Sequence, residues 1–218
     1  MTTAEAAARL RVSQRQIQRL ISSGELAARR TAGDAWVLDA LAVNSLARSR
    51  PSRGRPWSPE VAWGALWMLS GLEAEWVDSR TRSRLSSRLE GMDAADVVHA
   101  CRRRADVVRC RVSESFFDDL RGSIALSGVS SAEQFGLAGD TTRVEGYCDV
   151  DAWPGIYSTF HLVGDARGNA TIRVTALSDV LACPGSAMPK AVVAVDLAES
   201  YEARERDAGL RELEELLA

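Results

Sequence analysis

The side chains best suited to chemistry lie close together near the N-terminus. Gln14, Arg15, Gln16, Gln18 and Arg19 are of the two types that read base edges, because a guanidinium bonds guanine O6 and N7 and a glutamine amide pairs with adenine. Gln14, Arg15, Gln18 and Arg19 fall at i, i+4 spacing on one side of a helix, with Ile17, Leu20 and Ile21 on the other. Arg15, Gln16 and Arg19 lead as base readers, with Gln14 and Gln18 secondary. Ser13, Arg29, Arg30, Arg53 and Arg55 suit the phosphate backbone, which needs charge and hydrogen bonding but no base-specific geometry.

The neighbouring residues define the elements that position this set. Thr2-Thr3-Ala4-Glu5 places a hydroxyl three residues before a carboxylate, a capping box that starts a helix running through Leu10. Ser13-Gln14-Arg15-Gln16 repeats the arrangement and starts a second helix at once. Gly24 is a left-handed stop, and Leu26 can dock back on the pair. Two short helices and a tight turn make a helix-turn-helix, whose second helix enters a major groove leading with its N-terminal side chains. Residues 27–38 read as two short strands around a Gly-containing turn, a wing carrying Arg29 and Arg30, and Asp39 to Ala47 reads as a third, closing helix.

This order of signals resembles the excisionase/MerR-type winged helix-turn-helix. The residues behind the resemblance are Thr3-Ala-Glu-Ala-Ala-Ala-Arg-Leu10, Val12-Ser13, Ile17, Leu20-Ile21, Gly24-Glu-Leu26 and the Arg-rich hairpin. It covers about a quarter of the chain. The turn between the helices is short, and neither an effector-binding cysteine nor a long coiled coil follows, so the resemblance does not extend to metal sensing.

Charge is divided unevenly along the 218 residues. The net charge of −3 conceals a segment 1–56 with ten arginines against four acids (+6), a segment 57–121 with ten against eleven (−1), and a segment 122–218 with seven basic residues against fifteen acids (−8). A basic head on an acidic body suits an anionic partner for the head. Only Lys190 among the 27 basic residues is a lysine, as GC-rich coding would give. No apolar run approaches the length of a membrane span and no signal pattern opens the chain, so a cytoplasmic protein is expected. Cys101, Cys110, Cys148 and Cys183 form no CxxC pair and are expected to be buried thiols; His99, Cys101 and Cys110 make only a weak metal candidate. No metal or cofactor site is expected.

On these signals the chain divides into a winged helix-turn-helix at 1–48, an Arg/Pro linker at 49–57, and a helical segment plus α+β domain at 58–218. Ser58-Pro59-Glu60 starts a helix with Val61, Ala62, Ala65, Leu66 and Leu69 on its apolar side. Trp57, Trp63, Trp67 and Trp76 cluster there and are read as core rather than as a partner surface. Arg80, Arg84 and Arg88 form a basic stripe read as a solvated helix face. Strands are expected at 106–112, 124–126, 142–150, 157–163 and 169–176, the last two flanking a Gly/Asp hairpin loop, with a buried helix at 190–200 and an amphipathic helix at 202–217. The sum is an α+β fold with a mostly antiparallel sheet.

Residues 105–217 resemble the AbiEi-type antitoxin domain of bacterial type IV toxin–antitoxin systems. The resemblance rests on Gly146-Tyr147 after a strand, on Gly168-Asn-Ala-Thr-Ile-Arg-Val174, and on Ala194-Val-Asp-Leu-Ala-Glu-Ser200 followed by Glu202-Ala-Arg-Glu205 and a Leu-rich helix. It implies an autorepressing transcriptional regulator that binds double-stranded operator repeats and opposes a nucleotidyltransferase-type toxin. Winged regulators commonly bind such repeats as a homodimer on DNA, though no heptad run in this chain specifies one. The alternative is an excisionase-like DNA-architectural factor of a mobile element. The sequence contains no P-loop, GxSxG, HExxH or nucleotidyltransferase Gly-Ser with spaced aspartates, so no catalytic residue is assigned and an enzyme is not expected.

Overall fold

The computed structural model describes residues 1–10, 12–31, 35–48 and 55–218, so the wing's turn and most of the expected linker, including Arg53, lie outside the described residues. The chain forms two compact units, Met1–Pro51 and Ser52–Ala218.

The head opens with α1 (Thr3–Leu10) and α2 (Gln14–Ser22). Both expected caps form. The Thr2 N–H donates to Glu5 Oε2 at 2.8 Å and the Glu5 N–H to Thr2 Oγ1 at 3.2 Å, while Ser13 Oγ accepts from the Gln16 N–H at 3.2 Å. Gly24, at φ 74°, takes the left-handed turn after α2, and the Leu26 N–H returns to the Leu20 carbonyl at 3.0 Å. Strands β1 (Ala28–Arg30) and β2 (Trp36–Leu38) pair antiparallel as the wing, and α3 (Ala40–Arg48) closes the unit. The core is small: Ala6, Ala7, Ile17, Leu26, Leu38, Ala42 and Val43. Two ties supplement it. Met1 and Leu38 exchange two backbone hydrogen bonds beside β2, and Arg9 Nε donates to Asn44 Oδ1 at 2.9 Å, joining α1 to α3.

The body begins with α4 (Pro59–Leu69), α5 (Ser79–Leu89) and α6 (Ala94–Cys101). Trp57 and Trp63 are buried, and Trp67 and Trp76 stack edge-on beside them, so the tryptophans are core. The buried Trp63 indole reaches the partner its N–H requires, with Nε1 donating to the Arg104 carbonyl at 2.9 Å, and the half-buried Trp76 donates through Nε1 to the Glu60 carbonyl at 3.2 Å.

Five strands make the sheet, in the order β4 (Ala125–Leu126), β5 (Val144–Asp149), β7 (Ala170–Thr175), β3 (Asp106–Arg111), β6 (Val163–Gly164). Three pairings are antiparallel and one, β5 with β7, is parallel. The region expected as a strand at 157–163 differs: it begins with α8 (Trp153–Thr159), and only β6 remains extended. Pro154 at the first turn explains this, since its fixed φ starts a helix and disfavours a ladder. A parallel β5–β7 pair also needs a crossover rather than a hairpin, and β3 stands between β6 and β7.

Alternation along the strands divides the interior into two cores. Val108 and Cys110 of β3, Val144 and Cys148 of β5, and Ile172 and Val174 of β7 face α7 (Phe117–Ser123) and α8. Tyr147 of β5 belongs to the opposite core with α4, α6, α9 (Lys190–Ala198) and α10 (Ala203–Leu217). Every residue of Ala191–Ala198 is buried. Helix α10 crosses α9 at Gly209, where a Cβ would stand 2.4 Å from both the Ala194 carbonyl oxygen and the Ala198 nitrogen. Cys101, Cys110 and Cys148 are buried as expected, but Cys183 is exposed in the loop before α9. Burial pushes the Cys101 thiol up to about 12 and Cys110 up to about 11. Those two cysteines lie in different cores, so the metal candidate with His99 does not assemble. Among the described residues no helix is long and apolar enough to cross a membrane.

Candidate nucleic-acid interface

Helix α2 turns Ile17 fully into the head core and leaves Gln14, Arg15, Gln18 and Arg19 exposed. The four exposed residues thus share the side expected from their spacing. Gln16 stands apart: it is half-buried, because it follows Leu20 around the helix toward the core rather than the open face. Ser13 is exposed at the N-cap, with its hydroxyl committed to the Gln16 N–H. Among the described residues, neither the Arg15 nor the Arg19 guanidinium has a hydrogen-bond or ion-pair partner within the protein. Two guanidiniums with all donors turned to solvent, on the first two turns of the second helix, have the disposition that major-groove readout requires.

On the wing, Arg29 lies opposite Val37 and Arg30 opposite Trp36. Consecutive strand residues point to opposite faces, so the two arginines leave the wing on opposite sides. Both are exposed, and the Arg30 guanidinium lies over the Trp36 ring at 4.9 Å. Arg55 is exposed in the body unit. Arg9, which shares the head's positive charge, is tied to Asn44 and stays within the unit.

The densest polar constellation is elsewhere and was not foreseen from the sequence. In the body Arg104 and Arg173, 2% and 3% exposed, converge on Asp196, 1% exposed in the middle of α9. Arg104 Nη2 meets Asp196 Oδ1 directly, and the same guanidinium grips both oxygens of Glu199 at 2.9 and 2.7 Å. Its Nε donates to the Tyr147 hydroxyl at 2.7 Å, which donates in turn to Asp196 Oδ1 at 2.8 Å. Ser127 Oγ donates to the other Asp196 oxygen. Arg173 Nε lies 3.0 Å from Asp196 Oδ1, and its Nη1 lies 3.4 Å from Glu145 Oε2. Tyr147 and Arg173 are register partners across the parallel β5–β7 pair, which puts both on the face toward α9.

Two buried cations against three carboxylates leave this cluster short of positive charge. Burial raises the Glu145 carboxyl above the usual carboxylate range, against the pull of Arg173. Burial also raises the Tyr147 hydroxyl well above its ordinary value, so it stays a donor. The cluster is buried and its charged groups face one another, which offsets their desolvation, although Arg173 Nε, 3.0 Å from Asp196 Oδ1, makes no aligned hydrogen bond. The one signal in the sequence is Asp196, a lone charge within the apolar run Ala191–Ala198.

No curated protein and no solved structure matches the chain. Residues 1–51 match the family of helix-turn-helix domains, which identifies the head and supports DNA binding by it.

Proposed function

We propose that this protein is a sequence-specific DNA-binding transcriptional regulator, the autorepressing antitoxin of a type IV pair that opposes a nucleotidyltransferase-type toxin, and that it has no catalytic activity of its own. The observation that carries DNA reading is the exposed α2 face with the unengaged Arg15 and Arg19, on a domain of the helix-turn-helix family. Gln14 and Gln18 flank them as adenine readers, and Ser13, Arg29, Arg53 and Arg55 hold phosphate. Support for the antitoxin assignment comes from the body. Tyr147, Arg173, Asp196 and Glu199 belong to the three separate stretches that resemble the AbiEi-type domain, and in three dimensions they meet in one buried network. Short motifs that build a common interior are a better basis for resemblance than motifs scattered over a surface.

The test uses DNA from upstream of the protein's own coding region. Arg15→Ala with Arg19→Ala removes two bidentate readers worth about 1–3 kcal/mol each, so specific footprints disappear while the melting temperature is unchanged. Unaltered operator affinity in the double variant sinks base reading by α2. For the antitoxin assignment, co-expression relieves growth arrest by a nucleotidyltransferase-type toxin encoded beside it; no relief sinks that part alone. An excisionase-like factor fits the same head, and is distinguished by a large bend in its DNA without repression.

A further inference from the structure

Helix α5 carries Arg80, Arg82, Arg84 and Arg88 and no acidic residue from Ser79 to Leu89. It sits in a body segment, residues 57–218, that has seventeen basic residues against twenty-six acids, so a helix of +4 stands out against its surroundings. Leu85 and Leu89 are buried and fix its inner side, while Arg80, Arg84 and Arg88 are exposed at i, i+4, i+8. Like charges at that spacing repel, costing about 0.2–0.5 kcal/mol per pair. A helix face that served only solubility would alternate signs and avoid that cost. The two acids that flank the helix are Asp78 and Glu90; Asp78 is occupied as the N-cap, accepting from the Thr81 N–H at 2.9 Å and the Thr81 hydroxyl at 2.6 Å. Among the described residues the Arg80 and Arg84 guanidiniums have no partner. The Arg88 guanidinium lies over the Trp57 ring at 5.3 Å, and the Trp57 N–H donates to the Ala100 carbonyl at 2.9 Å. Trp57 therefore joins the end of α5 to the end of α6, next to the exposed Arg55 and Arg103.

We infer that this face of the body is a second, sequence-independent DNA surface that holds the phosphate backbone of duplex DNA through Arg80, Arg84 and Arg88. It rests on the reading that the protein binds DNA. The three arginines span about 12 Å of helix axis at 1.5 Å per residue, a length over which one DNA strand presents three or four phosphates at about 3.4 Å each. Nothing on this face supplies the glutamine and arginine mixture of α2, so it adds affinity and salt dependence without choosing a sequence.

The experiment measures binding of the full-length chain to a mixed-sequence duplex of about 30 base pairs by fluorescence anisotropy across a salt series. For Arg80→Gln/Arg84→Gln/Arg88→Gln the slope of log K against log salt falls by about 2 to 3, at about 0.9 for each phosphate no longer neutralised. The three Lys replacements keep the wild-type slope, since a point charge suffices for phosphate. Because Arg88 also packs on Trp57, the pair Arg80→Gln/Arg84→Gln provides the reading free of any packing change, with a fall of about 2. A wild-type slope in both Gln variants overturns this surface and leaves α2 as the DNA-binding element. No duplex binding by the wild-type chain overturns the DNA-binding reading itself and this surface with it.

Discussion

In the head, Arg15 and Arg19 are exposed and their guanidiniums have no partner among the described residues, whereas in the body Arg104 and Arg173 are almost wholly buried and each faces two or more carboxylates. The residue type is the same and the physics is opposite. A guanidinium left in water has its five donors available, and a ligand that matches them gains charge-assisted hydrogen bonds at little desolvation cost. A guanidinium already saturated by Asp196, Glu199 and Tyr147 has nothing to offer a ligand. Its worth lies in joining α9 to the sheet, and it becomes a liability when any partner is removed. Arginine count alone thus says little about nucleic-acid binding in this chain; which arginines lack acids nearby says much more.

The comparison breaks most visibly at Asp196. Asp196→Ala removes the carboxylate that Arg104 and Arg173 share, leaving Arg104 with Glu199 and Arg173 chiefly with Glu145, and costs about 3–5 kcal/mol of stability, the usual penalty for breaking a buried pair from one side. Denaturant unfolding of the body measures it, and a loss under about 1 kcal/mol would mean that the network is solvated rather than buried. Next is Gly209→Ala, where the new Cβ meets backbone atoms of α9 that cannot rotate away. Overpacking of this kind costs about 1–3 kcal/mol, and it should lower the unfolding midpoint of the body while leaving duplex affinity as it was. In the head, Ser13→Ala removes the α2 cap and costs about 1 kcal/mol. That change should appear both in head stability and in specific DNA affinity, because the same helix does both jobs.

The head was legible because its signals are local. A hydroxyl three residues before Glu5, Ser13 before α2, and Gly24 after it act within one turn, and they form as the sequence indicates. How far around α2 the core extends, which leaves Gln16 half-buried, is decided by tertiary packing. The body's core helix α9 and its tryptophan cluster were legible from hydrophobicity. The helix at Trp153–Thr159 was not, because Tyr157 to Val163 carries strand-like residues and the deciding Pro154 lies outside that window. The ionic network was out of reach for a different reason. Its members are separated by up to 95 residues (Arg104 to Glu199), and Arg104 sits in a run of three arginines where sequence marks none of them as buried.

The smallest effect separates the two units by its sign. In the head, the backbone N–H and hydroxyl of Thr2 hold the exposed Glu5 carboxyl below its ordinary value. A group with a depressed folded pKa supports folding above its unfolded value and loses that support as pH falls through the folded one. In the body, burial holds the Glu145 carboxyl above its ordinary value, with Arg173 and Arg143 opposing and Asp196 and Glu205 reinforcing the shift. The folded state then binds that proton more tightly than the unfolded chain, so stability declines as pH rises from the ordinary carboxylate value through the raised one. Gln at this position imitates the protonated acid and has no charge to desolvate. Glu145→Gln should therefore match the wild type below the ordinary carboxylate value and gain on it progressively as pH rises through the raised one, measured as the difference in melting temperature of the body. Glu5→Gln should show the opposite sign in a lower window, level with the wild type in strong acid and falling behind it in head stability as pH rises from the depressed folded value to the ordinary carboxylate value, with no further change above that. A difference for Glu145→Gln that stays flat with pH would place that carboxylate in solvent, and would reduce the contrast between the units to one of exposed and buried arginines alone.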